Sequence, residues 1–138
     1  MQAVNIPEVV AEVNEVFDRY ERALVENDVA TLIELFWASP HTVRYGLGEN
    51  LYGIEEIAAF RRGRRIEDVP GGDIGRAYRR RVVTTYGREN ATVNIEFVRR
   101  ASGRAGRQSQ TWVRTGEPGH HGWRVVAAHV SFLDSTAR

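Results

Sequence analysis

The sequence predicts an α+β fold in which three helices come first and a long antiparallel sheet follows. Apolar residues recur at three- and four-residue steps through the N-terminal part of the chain, the period of helices with one buried face. After the segment VPGGDIG the period changes to two, as half-buried strands require. The four strand-like runs that follow are joined by GREN, ASGRAG and GEPGHHG, whose composition marks turns and makes the sheet a meander.

The first helix is expected over residues 7–26, with Val9, Val13, Val16, Phe17, Tyr20 and Leu24 as its buried stripe. Pro7 suits a first helical turn, and Glu8 and Glu12 suit the positive end of the helix dipole. The segment END interrupts the pattern, and Asn27 or Asp28 caps a second helix running to Phe36. Pro40 stops that helix. A short hairpin comes next, with TVRYG as one arm, GLGEN as the turn and LYG as the other. A third helix, IEEIAAFRRGRR, opens on two glutamates and closes on arginines, as the dipole favours. Strands are expected at about 76–86, 91–100, 106–115 and 122–133. The helices can cover only one face of such a sheet, so the other is expected to pair in a sheet-to-sheet homodimer.

At 138 residues the chain fits a single domain spanning 1–138, with enough material for a core. Apolar content of 42% and charged content of 27% are those of a globular protein. Cysteine is absent, which excludes disulfides, thiolate nucleophiles and Cys-based zinc sites. All 19 basic residues are arginine, so lysine Schiff-base and general-base chemistry is excluded too. MQAVNIPEVVAEVNEVF carries acids and no long apolar core, unlike a signal peptide, and no apolar run approaches membrane-spanning length. A soluble cytoplasmic protein is expected. RAYRRRVV and VRRASGRAGRQ invite a nucleic-acid reading, but alternation scatters their arginines over both faces and into turns. They read as solvated edges that discourage edge-to-edge pairing, with no nucleic-acid or membrane partner. No HExxH, paired-His or acidic cluster suggests a metal, and no cofactor is expected.

Two residues on these elements invite chemistry. Tyr20 lies on the buried stripe of the first helix, either as a core tyrosine or with its hydroxyl in a pocket, donating to an oxyanion. Arg44 puts a permanent cation into a strand. Alternation sets Thr42, Arg44 and Gly46 against Val43 and Tyr45, which leaves its direction open. Further along, one phase of RQSQTWVR holds Gln108, Gln110, Trp112 and Arg114. On the last strand Val126, Ala128, Val130 and Phe132 form an apolar phase expected to face the pocket. His129 and Ser131 then fall on the dimer side, two residues apart and without the third group a catalytic triad needs.

The order of elements resembles the cone-shaped, cystatin-like fold of the nuclear-transport-factor-2-like superfamily, whose pocket lies between the first helices and a curved sheet. RYERALVENDVATLIELF and YGIEEIAAFRR are similar to ketosteroid isomerases and SnoaL-like polyketide cyclases. RQSQTW and GWRVVAAHVS are similar to the last strands of the calcium/calmodulin-dependent kinase association domain. A closer resemblance, covering nearly the whole chain, is to the AtzH-like family of oxalurate-catabolism (HpxZ-type) proteins. It rests on FDRYERAL, ELFWASPHTVRYG, ENLYGIEEIAAFRRGR, TTYGRENATVNIEF, GRQSQTWVR and GWRVVAAHVS.

That resemblance implies a functional tyrosine at Tyr20 and, opposite it, a functional strand residue at Arg44. Ketosteroid isomerases place a carboxylate base where Arg44 stands. A guanidinium cannot abstract a proton, but its fork can bind a carboxylate bidentately, so isomerase chemistry loses its key residue. Gln110 matches a polar pocket position of the superfamily. Arg61 and Arg64, one turn apart, would supply a second cation or else form a solvated helix C-terminus, and Trp37 would wall the pocket or simply pack. The implied function is a metal-free hydrolase, possible decarboxylation included, of a small carboxylated urea such as 1,3-dicarboxyurea in nitrogen catabolism. The alternative is a non-catalytic small-anion-binding or accessory protein for a partner amidase.

Overall fold

A computed structural model describes residues 2–65 and 75–133. The loop expected at VPGGDIG lies outside the described residues, apart from Gly75. Helix α1 spans Pro7–Glu26 and buries Val9, Val13, Val16, Phe17, Tyr20 and Leu24, the stripe set by the period of its sequence. Asn27 ends it in the left-handed conformation, φ 51° and ψ 45°. Asp28 then caps α2, Val29–Glu34, accepting from the Thr31 N–H at 3.2 Å. Helix α2 is shorter than its periodicity suggests. The Leu35 carbonyl accepts from Val125 N–H at 2.8 Å, and Trp37 N–H donates to the Val125 carbonyl at 2.9 Å. Phe36 is thereby drawn out of the helix and onto the last strand.

Strands β1, Val43–Tyr45, and β2, Asn50–Tyr52, form the short hairpin and lead into α3, Gly53–Gly63. Gly53 makes that sharp entry at φ +83°, with the Pro40 backbone 3.4 Å from where a Cβ would stand; an L side chain would be strained there. The meander follows as β3, Arg76–Tyr86, β4, Asn90–Arg99, β5, Ala105–Arg114, and β6, Trp123–Phe132. The six strands form one curved sheet in the order β2-β1-β6-β5-β4-β3. Strand β1 pairs with β6 in parallel.

Register shifts interrupt two ladders, between Tyr78 and Arg80 on β3 and between Thr111 and Trp112 on β5. At the second, Trp112 pairs with Val125 and Thr111 with Ala127, so Val126 is the extra residue of a bulge. The bulge lets Trp123 and Val125 face the core on one side of it and Ala128, Val130 and Phe132 on the other. A single alternating phase on the last strand therefore does not hold along its whole length. The core joins the α1 stripe, Leu32, Leu35 and Ile57 to Ala91, Val93, Ile95, Phe97, Trp112, Trp123 and Val125. No helix among the described residues is long and apolar enough to cross a membrane.

Candidate functional site

The register of β1 on β6 gives Arg44 its direction. Arg44 pairs with Ala128, which pairs with Gln110, while Tyr45 pairs with His129, which pairs with Ser109. Paired residues share a face, so Arg44 joins the inner face with Ala128 and Gln110, and Tyr45 joins the outer face. Arg44 is 6% exposed. Its guanidinium lies 4.9 Å from the centroid of the Phe60 ring, and Nη1 is 3.0 Å from Glu49 Oε1.

Tyr20 reaches the same place from α1. Tyr20, Arg44, Arg64, Arg76 and Arg99 all line one cavity of about 140 Å³, together with Glu49 and Gln108. Leu24, Leu47, Phe60 and Val130 complete the wall. Arg61 lies almost wholly buried, its Nη2 donating to Tyr20 Oη at 3.4 Å. Because that oxygen accepts from Arg61, the hydroxyl proton is left to donate elsewhere.

The charges are unevenly matched. Arg76 is spent inside the protein: its Nη2 meets Glu21 Oε1 at 2.5 Å and donates to Gln108 Oε1 at 3.1 Å. Burial opposes its charge, but Glu21 outweighs burial and holds the guanidinium pKa above its ordinary value. Arg99 stands directly across from Arg76 at the open end of the β3–β4 ladder, a placement that like charges resist. Burial lowers the Arg99 pKa, and Arg64 and Arg76 lower it further. Burial and the neighbouring Arg44 likewise lower that of Arg64. Burial pushes Arg61 down to about 10, with Arg44 and Arg64 adding to the effect and Tyr20 opposing it. These guanidinium groups stay charged at neutral pH, and their mutual repulsion is what an anion in the cavity would relieve. Among the described residues the buried Nε2 donor of Gln108 has no partner, so a ligand acceptor would also satisfy it.

The structure therefore brings together Tyr20, Arg44 and Arg64, with Arg61 behind Tyr20 rather than in the wall. Gln110 is buried on the same face, one pair further along β5, and its Oε1 accepts from Trp112 Nε1 at 3.1 Å. Trp37 is half-buried, its ring 6.3 Å from that of His41, and neither Trp37 nor Gln110 is in the cavity wall. Glu49, Phe60, Arg76, Arg99 and Gln108 are additions that sequence reasoning missed. Gln108 had a signal, since it shares its alternation phase with Gln110; Arg76 and Arg99 had none.

Solved structures share this architecture. A protein of unknown function from Pectobacterium atrosepticum is 53% identical, with 95% of each chain covered and a TM-score of 0.84. A cystatin-like fold protein from Burkholderia xenovorans is 44% identical over 96% of this chain and 98% of that one, also at 0.84. A nuclear-transport-factor-2-like superfamily protein from Salmonella enterica serovar Typhimurium is 25% identical, with 94% of each covered and a TM-score of 0.69. No curated protein matches the chain. The AtzH-like family model matches residues 2–136, nearly the whole sequence, and the chain belongs to that family.

Proposed function

We propose that the cavity binds and cleaves a small carboxylated urea or ureide, of which 1,3-dicarboxyurea is the type, as a metal-free hydrolase of cytoplasmic nitrogen catabolism. The observation that supports this reading is that the Tyr20 hydroxyl and the Arg44 guanidinium line one small cavity in which arginines outnumber acids. Arg44 would hold a substrate carboxylate by its fork and polarise the adjoining carbonyl. Tyr20 would donate to the oxyanion that develops, or give its proton to the departing nitrogen. In hydrolysis, water adds to the carbonyl and the C–N bond breaks, its electron pair leaving with the nitrogen. In decarboxylation the same bond breaks, the pair again goes to nitrogen, nitrogen takes the proton, and carbon dioxide leaves. A cavity of about 140 Å³ suits a molecule of this size.

Turnover of 1,3-dicarboxyurea, followed as released carbon dioxide, tests the reading. Tyr20→Phe and Arg44→Ala should each lower kcat/KM by about a hundredfold or more, the scale of losing one oxyanion or carboxylate contact. No rate above background, or unaffected variants, would overturn it.

A second reading has its own support, because among the described residues the one carboxylate in the wall, Glu49, is tied to Arg44 and no other wall residue is a carboxylate base that could activate water. On that reading the protein is a small-anion-binding accessory of a partner amidase, and carboxylates stabilise it thermally without being consumed. On either reading we propose a homodimer formed through the outer face of the sheet.

A further inference from the structure

Glu49 is the wall residue to which the proposed chemistry gives no part. Its side chain is 25% exposed, and among the described residues it is the only carboxylate in a wall that holds four guanidinium groups. Oε1 meets Arg44 Nη1 at 3.0 Å, and Oε2 accepts from the Gly48 backbone N–H at 3.2 Å. Most ion pairs formed by a turn residue contribute little and require no function. Two features set this one apart. Its partner is the buried cation of the cavity rather than a surface arginine. The turn is also shaped to permit it: at Gly46 an added Cβ would fall 1.9 Å from Glu49 Oε1 and 2.9 Å from Arg44 Nη1. Gly46 is not among the glycines with positive φ, so a side chain there would bring no backbone strain but would displace the ends of Glu49 and Arg44.

We infer that Glu49 is a specificity-determining latch, a tethered carboxylate that stands in for the ligand on Arg44 while the cavity is empty. The inference rests on the anion-binding reading of the cavity given above. A ligand must exchange its own carboxylate for that of Glu49. Carboxylate for carboxylate is close to an even trade at Arg44, and the tether gives Glu49 the advantage of effective concentration. An anion with a single carboxylate therefore gains little. One that also reaches Arg64, Arg99 or the unpartnered Nε2 of Gln108 gains contacts that Glu49 does not supply. The latch thus sets a threshold that rejects lone monocarboxylates, which is discrimination by competition as well as by fit.

Calorimetric titration with acetate and with malonate tests this on wild type, Glu49→Gln and Gly46→Ala. Glu49→Gln removes the competing charge, whereas Gly46→Ala keeps the charge but crowds Glu49 away from Arg44, while also pressing on Arg44 Nη1. Both variants should bind acetate roughly ten- to hundredfold more tightly, the gain from freeing a site that is mostly occupied. The preference for malonate over acetate should narrow in both. Unchanged or weaker acetate binding in both variants, with malonate still bound by wild type, overturns the latch and leaves the anion site standing. Tightening in Glu49→Gln alone, with malonate binding undiminished in Gly46→Ala, also overturns it, since Arg44 is then intact and a general loss of negative charge explains the gain. Loss of turnover with unchanged affinities overturns it by making Glu49 a participant in the chemistry. If neither probe binds any of the three proteins, the latch and the anion site fall together.

Discussion

Arg76 and Glu21 show how single residues keep a cationic cavity folded. Both are buried, and Gln108 occupies a further donor of Arg76. Removing one partner of such a pair leaves a desolvated charge with nothing to balance it. Glu21→Ala should therefore cost about 3–5 kcal/mol in urea unfolding, the usual price of a broken buried pair, whereas Arg107→Ala on the exposed outer face should cost far less. Tyr20 was legible as a buried stripe residue because a helix repeats its face within a few positions. The direction of Arg44 was not legible. It depends on pairing with Ala128, a partner that no local pattern in TVRYG specifies. Glu21 was hidden for the same reason, since the arginine that neutralises it lies on a distant strand.

At the scale of elements, the boundaries of α1 and of the four long strands follow closely from periodicity, because each buries one face against a common core. The shortened α2 and the bulge at Val126 do not, because both answer to a neighbouring strand. The contact of α1 with the far end of the sheet carries a pH signature. Glu12 Oε1 accepts from Arg114 Nη2 at 2.9 Å and from Trp123 Nε1 at 3.1 Å. Burial works to raise the Glu12 pKa, but these two donors outweigh it and hold the carboxyl below its ordinary 4.5. A carboxylate depressed on folding stabilises the folded state fully above its unfolded pKa, and the contribution fades as pH falls through the folded one. Urea midpoints measured from about pH 6 down to about pH 3 should thus decline less steeply in Glu12→Gln than in wild type. The variant should also be less stable at the upper end.

Over the whole molecule, a formal net charge of +1 conceals a separation of sign. Arginines gather around the cavity, while Glu8, Glu12, Glu15 and Glu26 lie along α1. The outer face of the sheet is of another kind. Ser109, Asn94, Thr111, Ala127 and His129 are exposed there, in registered rows of mostly small side chains. The proposed homodimer would use this face, and light scattering behind size exclusion should give twice the mass of the 138-residue chain. Thr111→Arg, placing a large cation in the middle of the face, should shift the protein to monomer while leaving its far-ultraviolet circular dichroism unchanged. A monomeric wild type would refute that assembly.

The parallel pairing of β1 with β6 has a consequence for how the protein comes into being. During synthesis, residues 43–45 leave the ribosome long before residues 127–129 exist to receive them. Until then β1 is paired only with β2 and the edge that receives β6 stands open, so the pocket cannot be assembled piecemeal from its N-terminal half. The cavity therefore forms only once β6 has been made, and a damaged β6 would disrupt it even where every wall residue contributed by the earlier elements is intact.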